Sequence, residues 1–500
     1  MMNMAWMRKL GAVSWLILVS VIVGAGAGCA VNPVSGRPEL TLISAKQEQE
    51  LGAEEAKKVE AQMGLLDDAQ FHPYLDALGQ RLAKESPRQD VTYQFHVADM
   101  AEPNAFALPG GYVYVSRGLL PLVNSEDELA GVVGHEIGHV AARHSVQKIS
   151  KQGPLAVVFG IASGLAGLVS PFVEHLIGGI GDLTQGLIFS PFSRGQETEA
   201  DRVGQEMAAN AGWDPAALSA FLFTLEREVE LMSKEPRKSS FFDSHPATPD
   251  RVKKTAEHAK ELTPATRAPI SATHESFLAR LDGMVYGQRA ANGIFEGRTF
   301  LHPDLNFVVE FPEKWQHDNT PQKIVAAAPN GDAAVVVVAV AEGTDPFDGA
   351  RALEKKTKTD VVAKTEKTTI GQLHAAHTQI KADGDVTLDI TWIAHGGVIY
   401  QVVGMASARQ FDTLQALFHS VAFSFRPLSA SERAGITEQR IRLVQARAGE
   451  SIEALAARTN SAWKKEQIAV MNNLAPGDQL KEGQVIKVAI AELYESKKFR

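Results

Sequence analysis

The sequence predicts a multidomain α+β protein: a mainly helical domain with a small sheet, an α+β domain built largely of strands, and a small strand–helix–helix–strand unit. Three observations predict it. The chain has 500 residues, which at roughly 150 residues per domain suggests about three domains. Helical spacing of apolar residues prevails up to about residue 265 and gives way to strand alternation between 296 and 428. The stretch from 436 to 490 then reads strand, helix, helix, strand. Composition sets outer bounds. Apolar residues make up 45% and charged residues 22%, as in soluble globular proteins, so wholesale disorder, collagen and a polytopic membrane protein are excluded. A net charge of −9 offers no basic field, which argues against nucleic acid as a partner. The single cysteine, Cys29, makes neither an internal disulfide nor a thiolate cage, so any metal must be held by histidines and carboxylates.

In chain order, residues 1–29 read as a lipoprotein-type export signal: Arg8 and Lys9, an uncharged run from Leu10 to Val23, then small residues up to Cys29. Cleavage just before Cys29 would free its thiol for a diacylglycerol, and Ala30 in place of Asp favours the outer membrane. Gly26, where Leu is commonest, departs from the usual pattern. Cleavage after Ala27 and an uncleaved anchor are the alternatives, although the apolar run is short for a spanning helix. Residues 30–265 form the main domain, with amphipathic helices from Leu42 to Lys84 and a strand at Val91–Val97. Residues 266–295 are expected as a helical linker. The α+β section, 296–428, is expected to contain strands at Phe307–Phe311, Ala333–Val340, Val386–Ile393, Val398–Val403 and Val421–Phe425, with helices near 346–359 and 410–419. Ser429–Gly435 reads as a polar linker.

The chemistry concentrates at His135-Glu136-Ile137-Gly138-His139. Chance would supply this pattern only about 0.05 times in a chain of this composition. Ser125, with Glu128 three residues on, is a capping box that starts a helix. At about 100° per residue, His135 and His139 share one face and reach one ion, with Glu136 beside it. Zinc needs a third protein ligand and an open position for water. His144 is rotated by about 140° from His139 on the same helix and is expected to face away. A second helix, opening at Ser193, carries Glu197 and Asp201 four residues apart on one face. Glu197 is the candidate third ligand, and Asp201 the acceptor that orients a ligand histidine. Glu199, about 200° from Glu197, is expected in solvent. One zinc per chain is expected.

With Glu197-Thr198-Glu199-Ala200-Asp201 downstream, the motif resembles the gluzincin zinc metalloprotease family of HtpX, BepA and the CAAX prenyl protease. Asn32-Pro33-Val34-Ser35-Gly36 after the cysteine resembles its lipoprotein branch. Asn104-Ala105-Phe106-Ala107-Leu108-Pro109-Gly110-Gly111 resembles the family's substrate-side strand, and Ser244-His245-Pro246 with Arg251 its downstream His-Pro motif. The resemblance covers about residues 30–262. Asn104, Ala105 and Phe106 would pair with an extended substrate if the strand is an exposed edge; an ordinary core strand is the other reading. His245 would either donate to the oxyanion or fill zinc's open position at rest, and Arg251 would pair with a carboxylate of the site.

Residues 154–189 are nearly uncharged, and Pro171 with many Gly and Ala favours a helical hairpin that covers the cleft or dips into a bilayer surface. The 436–490 unit resembles a LysM module; binding to a peptidoglycan glycan and purely structural docking are both open. The 296–428 section loosely resembles PsbP-like domains and reads as an accessory binding domain. The reading is a lipid-anchored zinc endopeptidase of the periplasm, acting on misfolded or unassembled envelope proteins with Glu136 as general base. A chaperone-like outer-membrane assembly factor with residual peptidase activity, and a murein peptidase, are the alternatives.

Overall fold

The computed structural model describes residues 28–41, 43–66, 68–150, 188–232, 244–245, 248–382 and 385–496. The export signal up to residue 27 and the apolar hairpin up to residue 187 lie outside the described residues. Strands β1 (Gly28–Val31) and β2 (Pro38–Thr41) form an antiparallel hairpin. Its turn is built by Asn32, whose Oδ1 accepts from the amides of Val34 and Ser35 and whose Nδ2 donates to Ala142 O. That last bond ties the segment after the cysteine to the end of the motif helix.

Helices α1 (Ala45–Met63) and α2 (Phe71–Ala83) lead into a sheet of β3 (Gln94–Ala98), β4 (Ala105–Leu108) and β5 (Tyr112–Ser116), ordered β3-β5-β4. The connection between β4 and β5 needs glycine. Gly111 has φ +101°, and a β-carbon there would lie 2.8 Å from Thr92 O. Helix α3 (Glu126–Ala141) carries the motif; Ser125 caps it by accepting from Glu128 N, while the Glu128 carboxylate accepts from Asn124 N. Helix α4 (Arg194–Ala211) starts with a Ser193/Gln196 capping box, and α5 (Ala217–Met232) and α6 (Pro249–Ala259) follow.

Small residues bring α3 and α4 together. A β-carbon on Gly134 would meet Gly204 O at 2.9 Å, one on Gly138 would meet Ala200 O at 2.9 Å, and one on Gly204 would meet His135 N at 2.7 Å. The backbones therefore touch, which places the Ala200–Gly204 stretch of α4 against the Gly134–Gly138 stretch of α3. The end of α3 is equally defined. Arg143 adopts φ +58°, and its guanidinium pairs with Glu48 of α1 at 2.9 Å; the same carboxylate pairs with Arg88 at 2.7 Å. The α3 helix stops there, and residues 144–150 form a separate helical stretch.

The 266–295 segment is mostly not helical, contrary to the sequence expectation. Its one α-helix among the described residues is the five-residue α7 (His274–Leu278); β6 (Val285–Tyr286), a 3-10 turn at Ala290–Asn292 and the start of the next strand follow, and the positive φ of Gly283 and Gly287 on either side of β6 keeps that stretch out of a helix. Strands β7 (Ile294–Glu296), β8 (Thr299–His302) and β9 (Phe307–Glu310) form a small sheet. Beside it, among the described residues, lies a seven-stranded sheet ordered β10-β11-β12-β16-β15-β14-β13. Its strands are β10 (Gln316–Asn319), β11 (Lys323–Ala327), β12 (Ala333–Glu342), β13 (Glu366–Ile370), β14 (Leu373–Ala382), β15 (Val386–His395) and β16 (Val398–Ser407). Helix α8 (Phe347–Thr357) packs with the apolar side chains of one face, and α9 (Ala408–Phe423) with those of the other. The expected strand at Val421–Phe425 is instead the last turn of α9 and its exit, because Phe411, Phe418, Val421 and Ala422 continue one buried helical face. Ser429–Gly435, expected as a linker, is the short helix α10 (Ala430–Gly435) with a Ser429/Glu432 capping box.

The terminal unit comprises β17 (Thr437–Gln445), α11 (Ile452–Thr459), α12 (Lys465–Met471) and β18 (Val485–Leu493). It is docked on the main domain. Strand β6 pairs with β17, and the buried side chains of both units form one continuous core. Lys487, wholly buried, donates to Pro121 O at 2.7 Å and Val123 O at 2.8 Å, just ahead of α3. Among the described residues no helix is long and apolar enough to cross a membrane.

Candidate metal centre

The α3–α4 contact brings four buried side chains to a point: His135, His139, Glu197 and His245, each offering a donor atom within 4.8 Å of the others. His139 Nε2 lies 3.0 Å from His135 Nε2 and 3.4 Å from Glu197 Oε1. His245 approaches from the loop before α6, its Nδ1 3.2 Å from His135 Nε2 and 3.0 Å from Glu197 Oε1. The packing of Phe192 holds that loop in place: Phe192 N donates to Ser244 O, and its ring lies 4.1 Å from that of His139.

A second ring of groups orients these donors. His135 turns Nδ1 to Asp201 Oδ1 at 2.9 Å, leaving Nε2 aimed inward. Arg251 grips Asp201 through Nε and Nη2, both at 2.7 Å, and reaches Glu197 Oε2 through Nη1 at 2.7 Å. Asp201 thus meets His135 Nδ1, and Arg251 pairs with both carboxylates. His144 departs from the sequence expectation. Instead of facing away it is wholly buried, with Nδ1 2.9 Å from His139 Nδ1 and Nε2 3.0 Å from Glu199 Oε2. Projecting His144 along α3 fails because the helix ends before Arg143. Glu199, expected in solvent, is the outer end of this relay, and the hydrogen bond from His144 holds its carboxyl below the ordinary range.

Electrostatics separate the two central carboxyls. Burial pushes Glu136 above the usual carboxylate range, against the opposing charges of His245 and His135. Burial also acts to raise Glu197, but the charges of His245 and Arg251 and hydrogen bonds from His139 and His245 override it and hold it well below. Burial lowers His139, keeping its imidazole neutral and fit to ligate. Neither oxygen of Glu136 makes a hydrogen bond, although the residue is wholly buried and His245 Nε2 lies 3.7 Å away. A buried carboxylate left so costs about 1–3 kcal/mol or more, and the three imidazole nitrogens that converge on Glu197 are ligand-type donors. The residues therefore fit a divalent metal with N and O ligands.

The predicted substrate-side strand is β4, at the edge of its sheet yet buried from Asn104 to Leu108. Phe106 and Leu108 pack with Ile149 and Ile188, which flank the undescribed segment. Asn104 is wholly buried, and neither its Oδ1 nor its Nδ2 has a partner.

Two histidines one helical turn apart with a glutamate between them, faced by a carboxylate from a second helix, are the side chains and spacing of an HExxH-class metal site. Comparison with known proteins narrows the class. Residues 69–259 match the model of peptidase family M48. The chain is 32% identical to the mitochondrial metalloendopeptidase OMA1 of Schizosaccharomyces pombe, over 46% of this chain and 66% of that protein. It is 28% identical to the beta-barrel assembly-enhancing protease of Escherichia coli, over 59% of this chain and 57% of that one. The metalloprotease LoiP of Escherichia coli matches at 29% identity, over 39% of this chain and 71% of that one. The chain thus spans between about half and two thirds of the first of these curated relatives. Among solved structures, a cyanobacterial PsbP from Synechocystis is similar over 28% of this chain and 98% of that one, at 13% identity and a TM-score of 0.21. The domain at residues 69–259 belongs to peptidase family M48, a family of metallopeptidases.

Proposed function

We propose that the chain is an exported, zinc-dependent endopeptidase that cleaves misfolded or unassembled proteins of the bacterial envelope. The observation that carries the reading is Glu136: a buried carboxylate with two unpartnered oxygens and a raised pKa, beside three convergent ligand side chains. His135, His139 and Glu197 would hold the metal. Zinc bound there supplies Lewis acidity, polarising a peptide carbonyl and bringing the pKa of its water towards ~7. Glu136 takes a proton from the attacking water at Oε and returns it to the leaving amine, and its raised pKa brings it closer to working pH. Asp201 accepts from His135 Nδ1 and fixes the tautomer that presents Nε2, while Arg251 keeps Asp201 and Glu197 ionised. With a metal bound, His245 would be a further donor at rest and, once substrate displaces it, would donate from Nε2 to the developing oxyanion. Asn104 offers its unpartnered amide to the backbone of a substrate laid along β4, beside Ala105 and Phe106.

Resemblance to the beta-barrel assembly-enhancing protease and to LoiP supports a periplasmic location, and the signal-like start supports a lipid anchor at Cys29 in the outer membrane. The terminal β17–β18 unit is read as LysM-like, with peptidoglycan as its candidate ligand. The test is incubation of the purified full chain with an unfolded outer-membrane protein and, separately, with peptidoglycan peptides. Chelator-sensitive cleavage of the unfolded protein, restored by zinc, is expected. Cleavage of the murein peptides alone, or suppression of aggregation without cleavage, would contradict the reading.

A further inference from the structure

A second group of ligand-type side chains lies far from the first in sequence and fold. His377 stands on β14, Asp389 on β15 and His419 on α9, and their donor atoms lie within 4.8 Å of one another. The sheet register explains the meeting. Gln379 is opposite Asp389, and His377 is two residues along β14 on the same face. That face also carries Ala375 and Ile393, which share a core with Phe411, Phe418 and Val421 of α9, so His419 comes down onto the carboxylate from above.

We propose that His377, Asp389 and His419 form a second metal site, for a divalent transition ion of the zinc type. His419 Nε2 is within hydrogen-bond distance of Asp389 Oδ2, but that one bond does not account for His377. His377 Nε2 and His419 Nε2 both lie 3.2 Å from the same oxygen, Asp389 Oδ2. Charge-assisted hydrogen bonds are shorter, about 2.7–2.9 Å. Two donors each ~2.0–2.1 Å from a tetrahedral ion are ~3.3 Å apart. His377 Nε2 is buried and makes no hydrogen bond at all despite this proximity, as expected of a ring nitrogen presenting its lone pair. The two rings stand nearly perpendicular, at 82°, with centroids 5.0 Å apart.

Charge bookkeeping agrees. The Asp389 side chain is only 2% exposed, and among the described residues its ionic partners are the two histidines, with no lysine or arginine beside it. A buried carboxylate without a cation is costly, and the Gln379 amide, 3.3 Å from Oδ2, brings no charge. The donor set of two imidazoles and one carboxylate suits zinc and its neighbours rather than calcium or magnesium. His419 is 40% exposed, so the site opens to solvent on the helix side and leaves room for water as the remaining ligand. An ion there clasps α9 to the sheet. The sequence gives no sign of it, since the three residues follow no motif spacing, and the expectation of one zinc per chain becomes two.

The test is zinc content of the full chain after loading and exhaustive dialysis, a readout independent of peptidase activity. Wild type is expected to retain two equivalents, and His377→Gln combined with His419→Gln one, whereas Glu197→Gln loses the other. One equivalent in both wild type and the double variant would overturn the proposal, as would two in both. Should the double variant fail to fold, the single exposed change His419→Asn, in a Glu197→Gln background, decides. Zinc is expected to raise the melting temperature of the Glu197→Gln protein and not that of the variant carrying His419→Asn as well; an equal rise in both would overturn the site.

Discussion

Gly204→Ala is the smallest change expected to dismantle the metal centre without touching a ligand. A β-carbon at this position would lie 2.7 Å from His135 N and 2.8 Å from Gly134 C, whereas ordinary contact begins at 3.4 Å. About 0.7 Å, the difference between 3.4 and 2.7, must then be taken up between α3 and α4. The obstructing atoms are backbone, so no side chain can swing aside, and overpacking of this kind costs about 1–3 kcal/mol. The same shift separates Glu197 and Asp201 from His135 and His139, and it exceeds the ~0.5 Å tolerance of a preorganised site. Zinc affinity should fall by about 10–100-fold, the loss typical when an orienting group is removed. Competition against a chromophoric chelator measures the affinity, and thermal melting of the metal-free protein measures the packing cost. Gly195→Ala is the control, since a β-carbon in the first turn of the same helix meets nothing within 4 Å. Zinc affinity and melting temperature equal to wild type in Gly204→Ala would refute the close-packing argument.

Three further outcomes follow from the same geometry. His144→Ala should weaken zinc retention by about 10–100-fold through loss of the partner on His139 Nδ1, and retention equal to wild type would remove His144 from the site. Glu228 is buried with Oε2 unpartnered, and burial pushes its carboxyl up to about 7. Its folded pKa is raised, so its stabilising contribution is complete below the unfolded value near 4.5 and is lost as pH rises through about 7. Glu228→Gln should therefore be more stable than wild type by up to ~3 kcal/mol at pH 8 and little different at pH 4; an equal difference in urea midpoint at both pH values would contradict this. Lys487→Ala leaves the carbonyls of Pro121 and Val123 unmet and opens a cavity, which should cost about 2–4 kcal/mol. Limited proteolysis should then cut beyond residue 436 faster than in wild type, and an unchanged cleavage pattern would count against docking through this lysine.

What the sequence made legible was local. His135 and His139, and again Glu197 and Asp201, are four residues apart on helices, and that spacing fixes a shared face whatever the tertiary structure. His144 was misplaced because projection along a helix holds only while the helix lasts, and the left-handed Arg143 ends it. No helical period announces such a stop; the pairing of Arg143 with Glu48, 95 residues away, is a tertiary fact. The glycines carry a further signal. Gly134 and Gly138 on one helix, facing Ala200 and Gly204 on the other, mark a backbone contact. Val421–Phe425 shows the opposite failure: a short apolar run suits a strand or a buried helix end equally, and packing against the sheet decided for the helix. The docking of the terminal unit through Lys487 and the meeting of His377, Asp389 and His419 depend on register and long-range packing, which leave no trace in local pattern.

The most direct measurement pairs metal content with cleavage of an unfolded protein in Glu136→Gln. That substitution keeps the shape of the side chain and every ligand atom of His135, His139 and Glu197, while removing the group assigned to carry the proton. The predicted result is zinc content equal to wild type with cleavage reduced by about 10²–10⁴-fold. Cleavage at the wild-type rate by the zinc-loaded variant would contradict the assignment of Glu136 and with it the peptidase account of the site.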